Sequence, residues 1–356
     1  MLLRLQTIDA KIMKLLAILA AIGIEQWRTA GWRRDFENLY IRYLRRLEVM
    51  LSGGGTWLAT LLALLPFLAV LLIDQLLMPV WWLWLLWSVL ALYLMMGFRH
   101  FSHYLTQIRE ALNEGDLPTA RQALYEWQGG DSHSLSSNEI AARAIESGAL
   151  AVYRNVFGIL FWFFIFGASG AAFYWMLAAI SREWVENLVG EDVSPVSATR
   201  AEFGRAARWL LFLVDWLPVR CLAFTFAIVG DFENAIYQWR ALPDDYGLFD
   251  SVNNQNVLLA TGMGALGLSW MPAPVATTSS PSETKEKDTR QTAEDAGNIA
   301  PEDDGTVTAP EKSNDDLGEP PSGAQITPGA LPSAFGLSWR ALLFWLLVIA
   351  IVTVAS

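Results

Sequence analysis

The chain is poor in the residues that build reactive or metal centres. It has one cysteine, Cys221, and three histidines in 356 residues. A single thiol excludes an internal disulfide, and with no histidines clustered around it makes neither a zinc site nor a redox pair. His100 and His103 stand three apart, close enough on a helix to share a metal. No third ligand at a recognisable spacing joins them, so no metal is expected. Charge is scarce as well, at 17% of residues. There is no internal repeat of apolar segments and no matched pair of broken helices, which leaves little ground for a transporter. Nothing in the chain points to nucleic acid.

What the chain has in abundance is long apolar runs: Thr56 to Leu77, Trp81 to Phe98, Val156 to Ile180 and Ala341 to Ala355. Three of them approach the roughly 20 helical residues that cross a bilayer. Lipid offers backbone N–H and C=O groups no partners, so such runs span as helices. The 53% hydrophobic content and 17 Trp agree, as does a mean hydropathy of +0.31. Trp57, Trp81, Trp82, Trp184, Trp209 and Trp339 sit at the ends of runs, where indoles lie at headgroup level. The expected fold is therefore all-α, a polytopic helical membrane protein whose partner is the lipid bilayer.

The net charge of −11 is concentrated in one place. Between Met271 and Ser338 lie 12 acids against four Lys and Arg, among Pro, Ser, Thr, Gly and Ala. That composition offers too little burial to offset the entropy of ordering. Three parts follow: a membrane domain over 1–270, a disordered acidic linker over 271–338, and a C-terminal membrane helix over 339–356. The linker is a solvated tether or a docking segment for a basic partner; the chain names no protein partner. At the other end, Met13 to Trp27 is short for a span. Its basic Lys14 ahead of an apolar core fits a cleaved signal peptide, but no cleavage context follows. A retained, shallow or tilted helix is the better reading, with Met13 an alternative start.

Orientation follows from Lys and Arg in short connections. Residues 28–55 hold Arg28, Arg33, Arg34, Arg42, Arg45 and Arg46 against three acids, which marks the cytoplasmic side of a bacterial inner membrane. The hairpin at Met78-Pro79 returns the chain there for residues 99–155. A continuous Val156 to Ile180 span then places 182–207 outside, Trp209 to Gly230 crosses back, and the last helix leaves the C-terminus in the periplasm.

Two regions are polar enough for chemistry. The first holds two amphipathic helices broken at Gly115-Asp116, with Asp116 an N-cap and Pro118 just inside the second helix. Gly129-Gly130-Asp131-Ser132 follows, and then a helix on which Glu139, Arg143 and Glu146 share a face. That face is either a pocket for an anionic ligand or a solvated surface. The second region is Asp215 to Arg220, an Asp and an Arg in an apolar segment with Pro218 between them. Ions at membrane depth must pair or face water. They line a polar pocket, or they form a structural bridge against Glu25 or Arg154. Pro218 makes a helix break plausible.

The order LNEGDLPTARQAL, GGDS, EIAARAIES resembles the cytoplasmic region of the CobD/CbiB family of cobalamin-pathway membrane proteins, where a helix pair precedes Gly-Arg-Asp-Thr and an Ala-Val-Glu-Ser helix. Asp215 to Arg220 is similar to that family's Asn-Tyr-Ile-Pro-Ala-Arg, and Gly264 to Leu268 to its Gly-Ala-Leu-Gly element. The likeness runs in order from about Glu25 to Trp270. It implies adenosylcobinamide-phosphate synthase, which attaches aminopropanol to adenosylcobyric acid, with a corrinoid as ligand and ATP and Mg entering only under that reading. Several acids of the pattern are absent. Leu150 and Arg154 stand where a Glu and an Asp would be, Ala178 to Ser181 replace Asn-Thr-Leu-Asp, Leu211-Phe212 replace an Asp pair, and the early His-Pro is missing. Amide formation needs an activated carboxylate, with phosphate charge held by cations or metal.

The missing acids favour a sister branch, AmpE, associated with signalling for β-lactamase induction. Its early Phe-Glu is similar to Ile24-Glu25, its Arg ahead of an aromatic pair to Arg154, and its Asp-Trp-Val-Pro-Val-Arg to Asp215 to Arg220. That resemblance implies a non-catalytic signalling or sensing protein that binds a nucleotide or another anionic small molecule, with Glu25, Asp131, Glu139, Arg143, Glu146, Arg154, Asp215 and Arg220 as ligand-binding candidates. No residue set supports a worked catalytic mechanism.

Overall fold

A computed structural model describes residues 2–27, 32–51, 56–129, 132, 134–184, 195–242, 251–270 and 324–355. Asp131 and most of the acidic stretch fall outside them. The regular structure of the described residues is helical apart from one bridge, Leu268 to Ala324. In order the helices are α1 (Leu2–Trp27), α2 (Trp32–Met50), α3 (Thr56–Ala63), α4 (Leu65–Leu77), α5 (Trp81–Met95), α6 (Phe98–Glu114), α7 (Leu117–Gln128), α8 (Ser137–Val152), α9 (Gly158–Phe166), α10 (Ala168–Trp184), α11 (Pro195–Val229), α12 (Phe232–Arg240), α13 (Ser251–Ala265) and α14 (Leu331–Ala355). A π-helical turn, Tyr153–Phe157, joins α8 to α9.

Among the described residues, Thr56–Leu77, Ser137–Phe166, Gly204–Val229 and Pro328–Ala355 are long and apolar enough to cross a membrane, and Trp81–Met95 is a shorter apolar helix. Leu65, Leu68, Leu72 and Leu76 of α4, and Leu343, Leu347, Ile351 and Val354 of α14, point outward. In water such leucine-rich stripes would drive aggregation; in lipid they face their natural solvent. The protein is a multi-pass membrane protein.

Pro66 divides α3 from α4. It has no N–H to give the Leu62 carbonyl, and the Phe67 N–H turns to Leu64 O instead of Ala63 O. Two carbonyls are thereby orphaned inside an apolar helix. The Tyr43 hydroxyl of α2 donates to Leu62 O at 2.6 Å and the buried Tyr40 hydroxyl to Ala63 O at 2.9 Å. Amphipathic α2 is thus latched to the break by the two groups the break left unsatisfied. Tyr40→Phe is expected to destabilise the protein by about 1–3 kcal/mol, the cost of an orphaned buried acceptor; melting in detergent checks it.

The expected Val156 to Ile180 span is corrected by Gly167. Gly167 adopts φ +75°, the left-handed region that glycine enters freely, and α10 runs back along α9 as a tight hairpin. A Cβ on Gly170 would stand 2.3 Å from Trp162 O, so only glycine permits this approach. Residues 182–183 consequently return to the face that α2 occupies: Arg182 pairs with Glu37 at 3.5 Å and Glu183 with Arg45 at 2.8 Å. The expectation that the segment after Ile180 lies on the opposite side from residues 28–55 is overturned, because ion pairs do not form across a bilayer.

The turn at Gly167 needs caps that lipid cannot supply. Lys14 of α1 donates to Phe164 O at 3.0 Å and Ile165 O at 3.1 Å, the terminal carbonyls of α9. Buried Asp74 of α4 lies beside Ser169 at the start of α10 and beside the Trp84 indole. The cation serves the negative end of one helix and the carboxylate the positive end of the next. Lys14 is therefore part of the fold, and α1 packs against α5 and α14.

Candidate functional site

The helix that carries most candidates is positioned by a chain of caps. Gly115, at φ +76°, ends α6, and Asp116 caps α7 by accepting from Thr119 N at 3.1 Å. The Thr119 hydroxyl and N–H hold the Asp116 carboxyl below its usual value. That contribution is complete above the unfolded carboxylate range and is lost as pH falls through the lowered value. After α7, Arg121 Nε and Nη2 both donate to Leu135 O, at 2.9 and 2.7 Å, and Ser132 Oγ donates to Arg121 O at 3.0 Å. This closes the loop onto α7. Ser136 and Glu139 then form a reciprocal capping box that starts α8.

Glu139 is therefore a structural cap. Arg143, four residues on, is exposed, and no acidic group among the described residues stands within ion-pair distance of it. Glu146 receives the Trp270 indole N–H at 2.6 Å. The sequence that delivers Trp270 is the Gly264 to Leu268 element. A Cβ on Gly264 would stand 2.6 Å from Asn234 O and 2.7 Å from Ala235 Cα, so α12 packs directly on it. Gly267 turns the chain at φ +70°. Gln238 of α12 donates to Leu268 O and accepts from Trp270 N at 3.3 Å. Two glycines and a glutamine fix one indole against one carboxylate.

Further along the same helix the π turn widens the spiral. Such turns gather at functional sites. Tyr153, within it, donates its hydroxyl to Asp215 at 2.5 Å. The Tyr174 hydroxyl and Arg154 lie beside the same carboxylate. Gly158 makes room: a Cβ there would meet Tyr174 Cζ at 2.3 Å.

The structure separates Asp215 from Arg220, correcting the expected pair. Arg220 instead stacks on Trp216 at 4.3 Å and donates to Trp216 O at 2.9 Å and Asn254 Oδ1 at 3.2 Å. Five residues advance a helix by about 500°, so positions 215 and 220 face well apart. No break forms at Pro218, and α11 continues through it. Glu25, the remaining candidate, pairs with Arg33 at 3.6 Å. Arg33 also donates to Met95 O at 3.4 Å and fills the space over Gly97, where a Cβ would stand 2.5 Å from Nη2.

The candidates thus form three groups: Arg143 and Glu146 with Trp270; Arg154 and Asp215 with Tyr153 and Tyr174; and Glu25 with Arg33. Arg220 stands apart. Tyr153, Tyr174 and Trp270 carried no signal beyond their ring chemistry, although the glycines around them did. Among the described residues no three His, Cys, Asp or Glu side chains gather as a metal cage. Glu139 is used in a cap and Glu146 is tied to an indole.

Bundled apolar helices with ionisable groups at their core and rim define a helical membrane protein with a buried polar site. A family model for CobD/CbiB proteins matches residues 28–272. The chain belongs to the CobD/CbiB family. It is similar to cobalamin biosynthesis protein CobD of Stutzerimonas stutzeri, 30% identical over 234 residues, covering 64% of this chain and 72% of that one. It is also similar to the CobD of Chromobacterium violaceum, 30% identical over 182 residues, 51% of this chain and 54% of that one. A probable CobD of Thermoplasma volcanium is 26% identical over 225 residues, 63% of this chain and 66% of that one. The match therefore spans between about half and three quarters of these relatives' lengths. No solved structure matches.

The expectation of a non-catalytic, AmpE-like signalling protein is overturned by these findings, which place the chain with cobalamin biosynthesis proteins. That expectation rests on the missing acids and on short likenesses at Ile24-Glu25, Arg154 and Asp215 to Arg220, whereas the family match extends over residues 28–272.

Proposed function

We propose that this protein acts in cobalamin biosynthesis, at the step that joins an aminopropanol unit to a carboxyl of adenosylcobyric acid, a condensation in which ATP as co-substrate activates the carboxyl and phosphate leaves as the amide forms. The observation that carries the reading is the ordered family match over residues 28–272, which includes the elements that build both polar groups on the α8 to α9 helix. The arginine-rich α2 favours the inner membrane, with α6 to α8 on the cytoplasmic side. In this reading the exposed Arg143 meets an anionic substrate group at the cytoplasmic face. Glu146, one oxygen held by Trp270, presents the other to the incoming amine. Buried Asp215 keeps Tyr153 fixed and sets a negative charge beside Arg154.

The test is complementation of a bacterial strain that lacks its own aminopropanol-attaching protein. Growth is expected with this protein on adenosylcobyric acid, and growth without it on a cobinamide that already carries aminopropanol. No growth on adenosylcobyric acid with the protein inserted in the membrane, while the cobinamide still restores growth, overturns the reading. Trp270→Phe keeps an aromatic ring but removes the donor to Glu146; about a tenfold loss in product formation is expected, with melting little changed. Adenosylcobyric acid binding, measured by calorimetry, is expected to weaken in Arg143→Ala, because one charge-assisted contact contributes about 1.5–3 kcal/mol.

A further inference from the structure

The apolar stretch of α11, Gly204–Val229, has the length and hydropathy of a span, yet its contacts hold both ends of that stretch at one face. Near the start of the stretch, Trp209 packs edge-on against Trp57 in the first turn of α3, with ring centroids 5.7 Å apart. That turn directly follows α2. At its end, Gly230 packs against Ala265 O, and Asp231 N donates to the same carbonyl at 2.9 Å. The Gly264 to Leu268 element then leads to Trp270 on Glu146 of α8. The faces of α2 and α8 are one and the same. The chain leaves through α3 and α4 and returns through α5, whose last residue, Met95, accepts from Arg33 of α2. Gly97 N donates to Asn155 O just past α8. A continuous helix that starts and ends at one face has not crossed.

A second observation concerns Arg220. Trp209, Leu213, Trp216, Leu217, Phe224 and Ile228 form one outward stripe, each 40 to 58% exposed. Arg220 lies in the middle of that stripe and has no acidic group within ion-pair distance among the described residues. In a spanning helix it would put an unpaired guanidinium on the lipid-facing side near the bilayer centre, where charge is expensive. In a helix lying along the interface the same stripe of Trp, Leu and Phe sinks into the acyl boundary, and Arg220 reaches headgroup phosphate.

We propose that α11 is an in-plane helix that does not cross the bilayer, and that its aromatic stripe and Arg220 dock on the phospholipid leaflet at the α2 face. Helices α12 and α13, packed on it, lie at that face too, and among the described residues after α10 only α14 crosses.

Single-cysteine labelling tests this in Cys221→Ala protein expressed in cells, with a membrane-impermeant maleimide applied to intact cells and to inverted vesicles. Exposed probes are Arg205→Cys near the start of α11 and Glu233→Cys just past its end. Arg46→Cys in α2 and Met78→Cys in the α4 to α5 turn mark the two faces. Arg205→Cys and Glu233→Cys are expected to label with Arg46→Cys and opposite to Met78→Cys. If either probe labels with Met78→Cys, the proposal is wrong: for Glu233→Cys because α11 crosses, for Arg205→Cys because its start lies at the other face. A reporter active only outside the cytoplasm, fused after Arg240, gives a second readout, and activity there also overturns the proposal.

Discussion

Lys14→Met is expected to melt well below the parent protein in detergent or lipid, with a loss of about 2–5 kcal/mol. The substitution keeps an unbranched side chain of similar length and removes only the donor. Phe164 O and Ile165 O, which Lys14 serves at 3.0 and 3.1 Å, then have no partner where water is excluded. Each orphaned buried acceptor costs about 1–3 kcal/mol. Asp74 also loses Lys14, the one cation among the described residues that acts on it. Asp74→Asn is expected to cost less, because an amide of the same shape keeps a polar group beside Ser169 and Trp84. The double variant is the informative one. If the two residues act on one turn, the combined loss falls short of the sum, as coupled sites do. Strict additivity, or a Lys14→Met protein that melts like the parent, would mean that the α9 to α10 turn is held by packing at Gly170 alone.

That pair also shows how far the sequence reaches. Lys14 and Asp74 are isolated charges in apolar runs, and such charges signal function or structure. Nothing in a one-dimensional pattern says that residues 14, 74 and 165 meet, because the turn that joins them is made by Gly167 among Ala, Ser and Gly, with no change in hydropathy. The hairpin therefore reads as one span, and the orientation of everything after it inverts. Local chemistry is legible where it is local, at the Asp116 cap and the α7 start at Leu117-Pro118; Glu139 reads as a ligand candidate and proves to be a cap. The family was legible too, from ordered pieces spread along the chain. The branch is not legible, because the acids missing from the family pattern point to the sister branch while the breadth of the likeness, over residues 28–272, points to the family itself. Asp215 and Arg220 looked paired because they are near in sequence, but the helix turns them apart, and Tyr153, from 62 positions away, takes the carboxylate.

The Asp215 site gives the other large expected effect. Asp215→Asn keeps the volume and an oxygen that accepts the Tyr153 hydroxyl, and removes the charge beside Arg154 and Tyr174. Melting is expected to stay within a few degrees of the parent, since the main hydrogen bond survives. Complementation on adenosylcobyric acid is expected to fail. Asp215→Ala differs: it strands a buried phenol and leaves a cavity beside a cation, so folded yield is expected to collapse, with about 3–5 kcal/mol lost. Gly158→Ala approaches the same site from the other side. Its methyl would meet the Tyr174 ring at 2.3 Å, and the ring must move away from the carboxylate. If the charge at Asp215 matters for function, Gly158→Ala is expected to depress activity more than the single methyl's effect on melting would suggest. A fully active Asp215→Asn protein would make the buried carboxylate a packing device. The site of chemistry would then lie with Glu146 and Arg143, where Trp270→Phe and Arg143→Ala already test it.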